Sequence, residues 1–205
     1  MDIFIRTNLP PKLVSARLVL REVGVADISD RLLWWLNDTE TTRFLEIRHV
    51  PQTKERVEQY VRERLAQPEN PHFGIYDSGG GRLIGTVTVN QFNPNHKTAD
   101  LSFVIGHPDV RGQGYATEAV HAVCAYCFQV AGLYKLTGGL ERENHGSRRV
   151  FEKNGFTLEG VKKQQCLDRE GQRTDELLYG LVSFGFMPNF RWLGGDAVTI
   201  HPNGA

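Results

Sequence analysis

At 205 residues, with 40 % hydrophobic and 23 % charged side chains, the chain has the size and composition of one soluble globular unit. Lys+Arg and Asp+Glu are equal at 24 each, so the basic excess of a dedicated nucleic-acid binder is missing. Three cysteines, Cys124, Cys127 and Cys166, cannot build a disulfide framework. No apolar run reaches the ~20 residues of a membrane span, and the opening MDIFIRTNLPPKL lacks the pattern of a secretory signal, so a cytoplasmic setting is expected.

Residues 1–15, broken by Pro10 and Pro11, read as a loose lead-in. Alternation around Leu18 and Leu20 predicts a first strand. Asp27 is placed to cap a helix carrying Ile28, Leu32, Trp35 and Leu36 on one face. A polar connection follows, and Thr53 opens a second helix with Val57, Tyr60, Val61 and Leu65 on its stripe. Next comes a meander: HFGIY, the turn SGGG, RLIGTVTVNQF, the turn NPNH, and TADLSFVIG. From Gly114 the period becomes helical, with Val120, Val123, Cys124, Cys127 and Phe128 at i, i+3, i+4, i+7 and i+8, closed by Gly132. LYKLTGGL is a short strand weakened by Gly138 and Gly139. Asn144 caps a further helix that Gly155 stops. Two long strands, about 157–168 and 173–184, are joined by DREG, and 185–205 reads as a tail or edge extension. The order β-αα-βββ-α-β-α-ββ predicts a mixed α/β sheet with helices on both faces, not a run of βαβ units.

The segment VRGQGYATEAV, residues 110–120, follows a strand and opens a helix. A helix N-terminus presents unpaired N–H groups and partial positive charge. Gly112 and Gly114 let the backbone approach an anion, and the N–H groups of Gln113 to Ala116 are suited to cradle a pyrophosphate, with Arg111 adding charge beside them. A glycine-using strand-to-helix turn with no ligand is the competing reading of these residues taken alone. His121-x-x-Cys124-x-x-Cys127 has the spacing of a metal motif, but both cysteines lie on the apolar helical stripe and no fourth ligand is nearby, so buried thiols are expected there rather than a metal site.

RGQGYA resembles the acetyl-CoA loop of the GNAT acetyltransferases. The strand ADLSFVIGHPDV before it, the block ERENHGSRRVFEKNGFTLEG and the closing REGQRTDELLYGLV resemble the family's other blocks in the family's order. The likeness spans roughly residues 16–183 and is greatest to the ribosomal-protein N-terminal acetyltransferase-like branch. It implies a GNAT domain over 16–184, with acetyl-CoA as cosubstrate and no metal. It implies that Phe103, Val104 and Ile105 offer backbone groups to the pantetheine arm where two strands splay. Arg111, Gly112, Gln113, Gly114, Tyr115 and Ala116 would hold the pyrophosphate, Asn144 would contact the cofactor near the thioester, and Ser147 would face the leaving sulfur. Phe151 stands where many members carry a tyrosine acid. Cys166 stands where some ribosomal-type members carry a glutamate base.

The stretch WWLNDTETTRFLEIRH, residues 34–49, resembles a segment of relatives that acetylate nucleotide-linked amino sugars. It marks Asn37, Arg43, Glu46, Arg48 and His49 as acceptor-binding candidates, with Arg43 or Arg48 open to a phosphate and Glu46 as a catalytic carboxylate. Asp100, Glu141 or water are the other bases. The expected reaction is direct attack of a primary amine on the thioester in a ternary complex. The acceptor stays open between a protein N-terminal amine, a nucleotide-linked amino sugar and another small amine. A degenerate CoA-binding sensor is the non-enzyme alternative. No nucleic-acid or membrane partner is expected, and the chain is expected to be a monomer or homodimer.

Overall fold

The computed structural model describes residues 11–187 and 198–201. In chain order the strands are β1 (Lys12–Val14), β2 (Leu18–Glu22), β3 (His72–Asp77), β4 (Leu83–Asn93), β5 (Thr98–Ile105), β6 (Lys135–Glu141), β7 (Thr157–Leu167), β8 (Arg173–Val182) and β9 (Thr199–His201). The helices are α1 (Asp30–Asn37), α2 (Lys54–Leu65), α3 (Tyr115–Ala125) and α4 (His145–Lys153). Among the described residues, the nine strands form one sheet in the order β7-β8-β6-β5-β4-β3-β2-β1-β9. Only the β5–β6 pair is parallel. The expected mixed α/β architecture is therefore what the chain adopts.

Two short strands lie in stretches that the sequence leaves outside the domain. Lys12–Val14 pairs with β2, and Thr199–His201 pairs with β1 at the sheet edge. Three-residue strands are too short to show an alternation, which is why composition alone reads them as lead-in and tail. The first ten residues of the lead-in and residues 188–197 and 202–205 of the tail lie outside the described residues.

Alternation along β5 separates two apolar layers. Leu101 and Phe103 join the main core with Ala119, Val120, Val123 and Cys124 of α3 and Phe151 of α4. Val104 packs on the opposite face against Trp35 of α1 and Val57 of α2. Trp35 lies against Gly106, where a Cβ would fall 1.3 Å from the indole, so only glycine lets the end of β5 pass beneath the ring. Cys124 and Cys127 are buried, and burial pushes both thiols up out of the range of reactive cysteines.

Caps set most helix starts. Thr53 Oγ1 accepts from the Arg56 N–H, and Asn144 Oδ1 accepts from the Ser147 N–H, as expected. The first helix differs. Asp27 closes a short 3₁₀ turn by accepting from the Gly24 N–H, and Ser29 caps α1 by accepting from Leu32. Both residues are good caps two positions apart, and the paired turn takes the first. On α2, Val57 and Val61 are buried while Tyr60 and Leu65 of the predicted stripe stay largely exposed. After α3 the helix widens into a π-turn over Tyr126–Val130, and Gly132 at φ 66° ends it. No helix among the described residues is long and apolar enough to cross a membrane.

Candidate active site

β5 and β6 pair only from Thr98–Lys135 to Asp100–Thr137. Beyond that point β5 stays on β4 and β6 stays on β8, so the sheet forks. In the antiparallel β4–β5 ladder, Gly106 donates to the Ile84 carbonyl. The alternation of that ladder turns the backbone groups of Phe103 and Ile105 toward the fork and those of Val104 toward β4. Val104 therefore serves the Trp35 core rather than the open edge. On β6, Gly138 faces α4, where a Cβ would fall 2.4 Å from the Phe151 ring, and Gly139 faces the other side, beneath the Glu176 carboxylate. The two glycines that weaken this strand in the sequence are thus the floor of the fork on its two faces.

On the α3–α4 face the fork ends in the loop Arg111–Gly114. Gly112 and Gly114 have φ of 74° and 84°, a left-handed backbone that glycine adopts without penalty. Gly114 is the N-cap of α3, and the first intrahelical bond runs from the Glu118 N–H to the Gly114 carbonyl. Among the described residues, no N–H from Gly112 to Ala116 donates to a protein acceptor in hydrogen-bonding geometry. Five free donors at a helix start are the kind of backbone that can receive an anion. The Arg111 guanidinium is turned aside. It donates to Thr41 Oγ1 at 2.5 Å and lies 3.4 Å from the Ile105 and Gly106 carbonyls, which braces the loop against the α1–α2 connection.

α4 closes the same face. The Asn144 side-chain oxygen Oδ1 is engaged as the cap, and Ser147, half-buried one turn into the helix, makes no side-chain hydrogen bond among the described residues. Phe151 is buried edge-on to Phe103 at 5.5 Å and stacked on Tyr179. The Tyr179 hydroxyl donates to Glu152 at 3.3 Å, so this tyrosine is core. A serine that faces the leaving sulfur, as the resemblance implies for Ser147, gives only partial help, so on that reading Ser147→Ala is expected to lower kcat by no more than about 100-fold and to leave acetyl-CoA affinity intact. Steady-state kinetics and thermal melting on one preparation check this; an unchanged kcat in a protein that melts lower would make Ser147 a residue of the helix start only.

The opposite face carries a cavity of about 370 Å³ lined by Glu46, Arg48, His49, Gln165, Cys166, Leu167, Arg173 and Glu176. It stands between the α1–α2 connection and the β7–β8 hairpin. A bulge shapes its far wall. Gln164 sits at φ 53° where the β7–β8 register shifts, and Asp175 holds it by accepting from the Gln164 N–H, Arg142 and Lys163. Those donors hold the Asp175 carboxyl well below its usual range. Burial, then the carboxylates of Glu141, Glu176 and Glu46, push the Cys166 thiol up, so it is a neutral wall residue.

The acceptor candidates divide. Glu46 and His49 are exposed to the cavity. Arg48 lines it but is not open to a phosphate. Its side chain is 1 % exposed, and its guanidinium pairs with Glu141 and donates to the Leu167 and Arg43 carbonyls, while its Nε donates to His49 Nε2. Asn37 is engaged in structure: its amide donates to the Leu33 and Gln52 carbonyls and accepts from the Gln52 N–H, joining the end of α1 to the start of α2. Arg43 is exposed, with its guanidinium over the Phe44 ring, and does not line the cavity. Short-range spacing cannot reveal these assignments, because two of the partners that bury Arg48, Glu141 and Leu167, lie 93 and 119 residues away.

Asp100 lies at the vertex of the fork. By strand parity it shares a face with Ser102, Thr137 and Glu141, the face of the cavity lined by Glu46 and Glu176. Thr137 Oγ1 donates to it at 3.2 Å. Burial pushes its carboxyl up to about 6, the Thr137 bond opposes this, and the Glu176 carboxylate adds to it.

Residues 17–157 match the family model described as an acetyltransferase (GNAT) domain. The chain is 37 % identical over 112 residues to Probable N-acetyltransferase YjcK of Bacillus subtilis (strain 168), covering 54 % of this chain and 61 % of that protein. It shares its fold with the spermidine N-acetyltransferase of Vibrio cholerae in complex with CoA and spermine, at TM-score 0.74 and 20 % identity over 83 % of this chain and 98 % of that one. It shares it equally with RimL, a ribosomal L7/L12 alpha-N-protein acetyltransferase in complex with coenzyme A, at TM-score 0.74 and 19 % identity over 82 % and 96 %. The forked sheet, the loop of unpaired N–H groups and this match over most of the chain place it in the GNAT family, as an acetyl-CoA-dependent N-acetyltransferase.

Proposed function

We propose that this enzyme moves an acetyl group from acetyl-CoA to a primary amine within a ternary complex, with the two substrates meeting through the fork in the sheet. One observation carries the reading: the gap past Asp100 and Thr137 has a loop of unpaired N–H groups on one face and a polar cavity on the other. Gly112 to Ala116 hold the pyrophosphate, and the open backbone groups of Phe103 and Ile105 hold the pantetheine arm. The acceptor enters from the cavity, its ammonium steered by Glu46 and Glu176. Asp100, at the vertex, takes one proton from the ammonium, the neutral nitrogen then attacks the thioester carbon, and the second proton of the adduct passes to the departing sulfur, which leaves as the free thiol. The carbonyl oxygen gathers negative charge beside an open N–H of β5, and the sulfur leaves toward Ser147. An α-amine, with a pKa of about 8, loses its proton most easily and suits this arrangement. The protein N-terminal acceptor of RimL and the polyamine in the Vibrio cholerae complex mark the two classes to compare. The test is a panel assay of thiol release from acetyl-CoA with basic and neutral N-terminal peptides, polyamines and nucleotide-linked amino sugars. Release with none of them would overturn the reading.

A base must be unprotonated to act. With its carboxyl near 6, Asp100 gives an acid limb on which kcat/KM rises with pH through about 6 and then levels until the acceptor's own ionisation intervenes. Asp100→Asn is expected to remove that limb and lower kcat by about 10²–10⁴-fold, the usual range for such a base. A pH–rate profile checks it; an unaltered acid limb in the variant would move the base to Glu46 or water.

A further inference from the structure

Behind the cofactor loop lies an ion pair, its carboxylate buried and its arginine 41 % exposed, that neither the motif nor the acceptor site accounts for. Glu118, in the first turn of α3, has a side chain with no exposed surface. Its carboxylate is saturated from the turn between β1 and β2. One oxygen accepts from Ser15 Oγ and the Arg17 N–H, both at 2.8 Å; the other accepts from Arg17 Nε and Nη2 at 2.7 Å. Such a two-pronged pairing fixes the guanidinium plane. The remaining nitrogen, Nη1, donates to the Gln113 carbonyl at 3.1 Å, and the guanidinium lies 4.3 Å over the Tyr115 ring. A single side chain therefore grips the loop at Gln113, the helix start at Tyr115 and the first turn at Glu118.

We propose that Arg17, locked by Glu118, is a positioning residue that aims the backbone donors of the cofactor loop; this rests on the reading of Gly112 to Ala116 as the pyrophosphate seat. The reason is the planarity of the peptide unit. The carbonyl of Gln113 and the N–H of Gly114 belong to one rigid plane and point in opposite directions. Holding that carbonyl on Arg17 turns the Gly114 N–H to the open side, where the anion sits. Glycines at 112 and 114 leave the loop soft, with φ of 74° and 84°, so the direction of the central peptide needs an outside anchor. The carboxylate of Glu118 has a second consequence. Unpaired, it would set a negative charge one turn below the phosphate seat. Arg17 cancels that charge while Glu118 holds the arginine in place.

The experiment is calorimetric titration with coenzyme A, together with acetyl-CoA kinetics, on Arg17→Ala, Arg17→Lys, Arg17→Ala/Glu118→Gln and Gly114→Val. Arg17→Ala is expected to raise the Kd for coenzyme A by about tenfold or more, the scale of losing a residue that orients a binding group. The acceptor KM and the kcat at saturating acetyl-CoA should stay within about twofold, a split that loss of fold stability alone would not produce. Arg17→Lys keeps a charge but cannot serve Glu118 and Gln113 together, so it should fall between Arg17→Ala and the wild type. The double variant removes the stranded carboxylate and should regain melting temperature while its affinity stays low, because the Gln113 carbonyl is still unheld. If Gly114→Val loses coenzyme A while the folded Arg17 variants bind it as the wild type does, the positioning role is overturned and the loop assignment stands. If Gly114→Val itself binds normally, both fall. Should Arg17→Ala fail to fold, wild-type affinity in Arg17→Lys and in the double variant overturns the proposal.

Discussion

Gly114→Val is expected to abolish measurable coenzyme A binding in a protein that still folds. Gly114 has φ 84° and ψ 0° at the N-cap of α3. A β-branched residue there is strained, at a cost on the order of 1–2 kcal/mol for the left-handed backbone alone. That is a fraction of the roughly 5–15 kcal/mol by which a domain is stable, so the fold should survive. The binding loss has a different origin. The valine methyls stand beside the row of unpaired N–H groups and keep a phosphate from the contact distance that makes those donors effective. Gly112→Ala is the matching control. Its φ is 74°, but a Cβ there meets nothing within 4 Å, so it tests backbone strain without crowding and should weaken binding less. Calorimetry beside thermal melting checks both variants. Wild-type affinity in folded Gly114→Val would place the pyrophosphate elsewhere.

Features of the site differ in how far they could be read from the chain. The loop, the caps at Thr53 and Asn144, and the weak strand at Gly138–Gly139 depend on backbone conformation, and backbone conformation is written locally in Gly, Asn and Thr. That Glu46, Arg48 and His49 share one wall was legible, since they line one cavity. What each residue does there was not. Arg48, Asn37 and Arg43 look alike in sequence, as polar side chains in a connection. Only tertiary pairing makes the first a buried clasp, the second a splice between helices and the third an exposed cation on Phe44. Arg17 and Glu118 stand 101 residues apart, with no periodicity to join them. Asp100 could be named as a carboxylate near a strand end. That the strand forks at that residue follows from where β6 departs, a long-range property of the sheet.

Arg48→Ala is expected to destabilise the protein by about 3–5 kcal/mol and to cost acceptor turnover while sparing coenzyme A affinity. The side chains of Arg48 and Glu141 are 1 % and 7 % exposed. Removing the guanidinium strands the carboxylate of Glu141 away from water, the costly way to break a buried pair. It also frees the Leu167 and Arg43 carbonyls, so the connection over residues 43–49 loses its ties to β6 and β7 together. For a chain of this size, each kcal/mol lowers the melting temperature by roughly 2–4 °C, which predicts a drop on the order of 10 °C. Stability and function can then be separated. Replacing the pair by Arg48→Met and Glu141→Leu substitutes apolar packing for a desolvated ion pair, an exchange that is often neutral or stabilising. That double variant should recover most of the melting temperature but not the acceptor kcat/KM, because methionine cannot hold the Leu167 carbonyl against the cavity wall. Wild-type acceptor kinetics in the double variant would show that the clasp only stabilises the fold, whereas low kcat/KM at restored stability makes it part of the acceptor site.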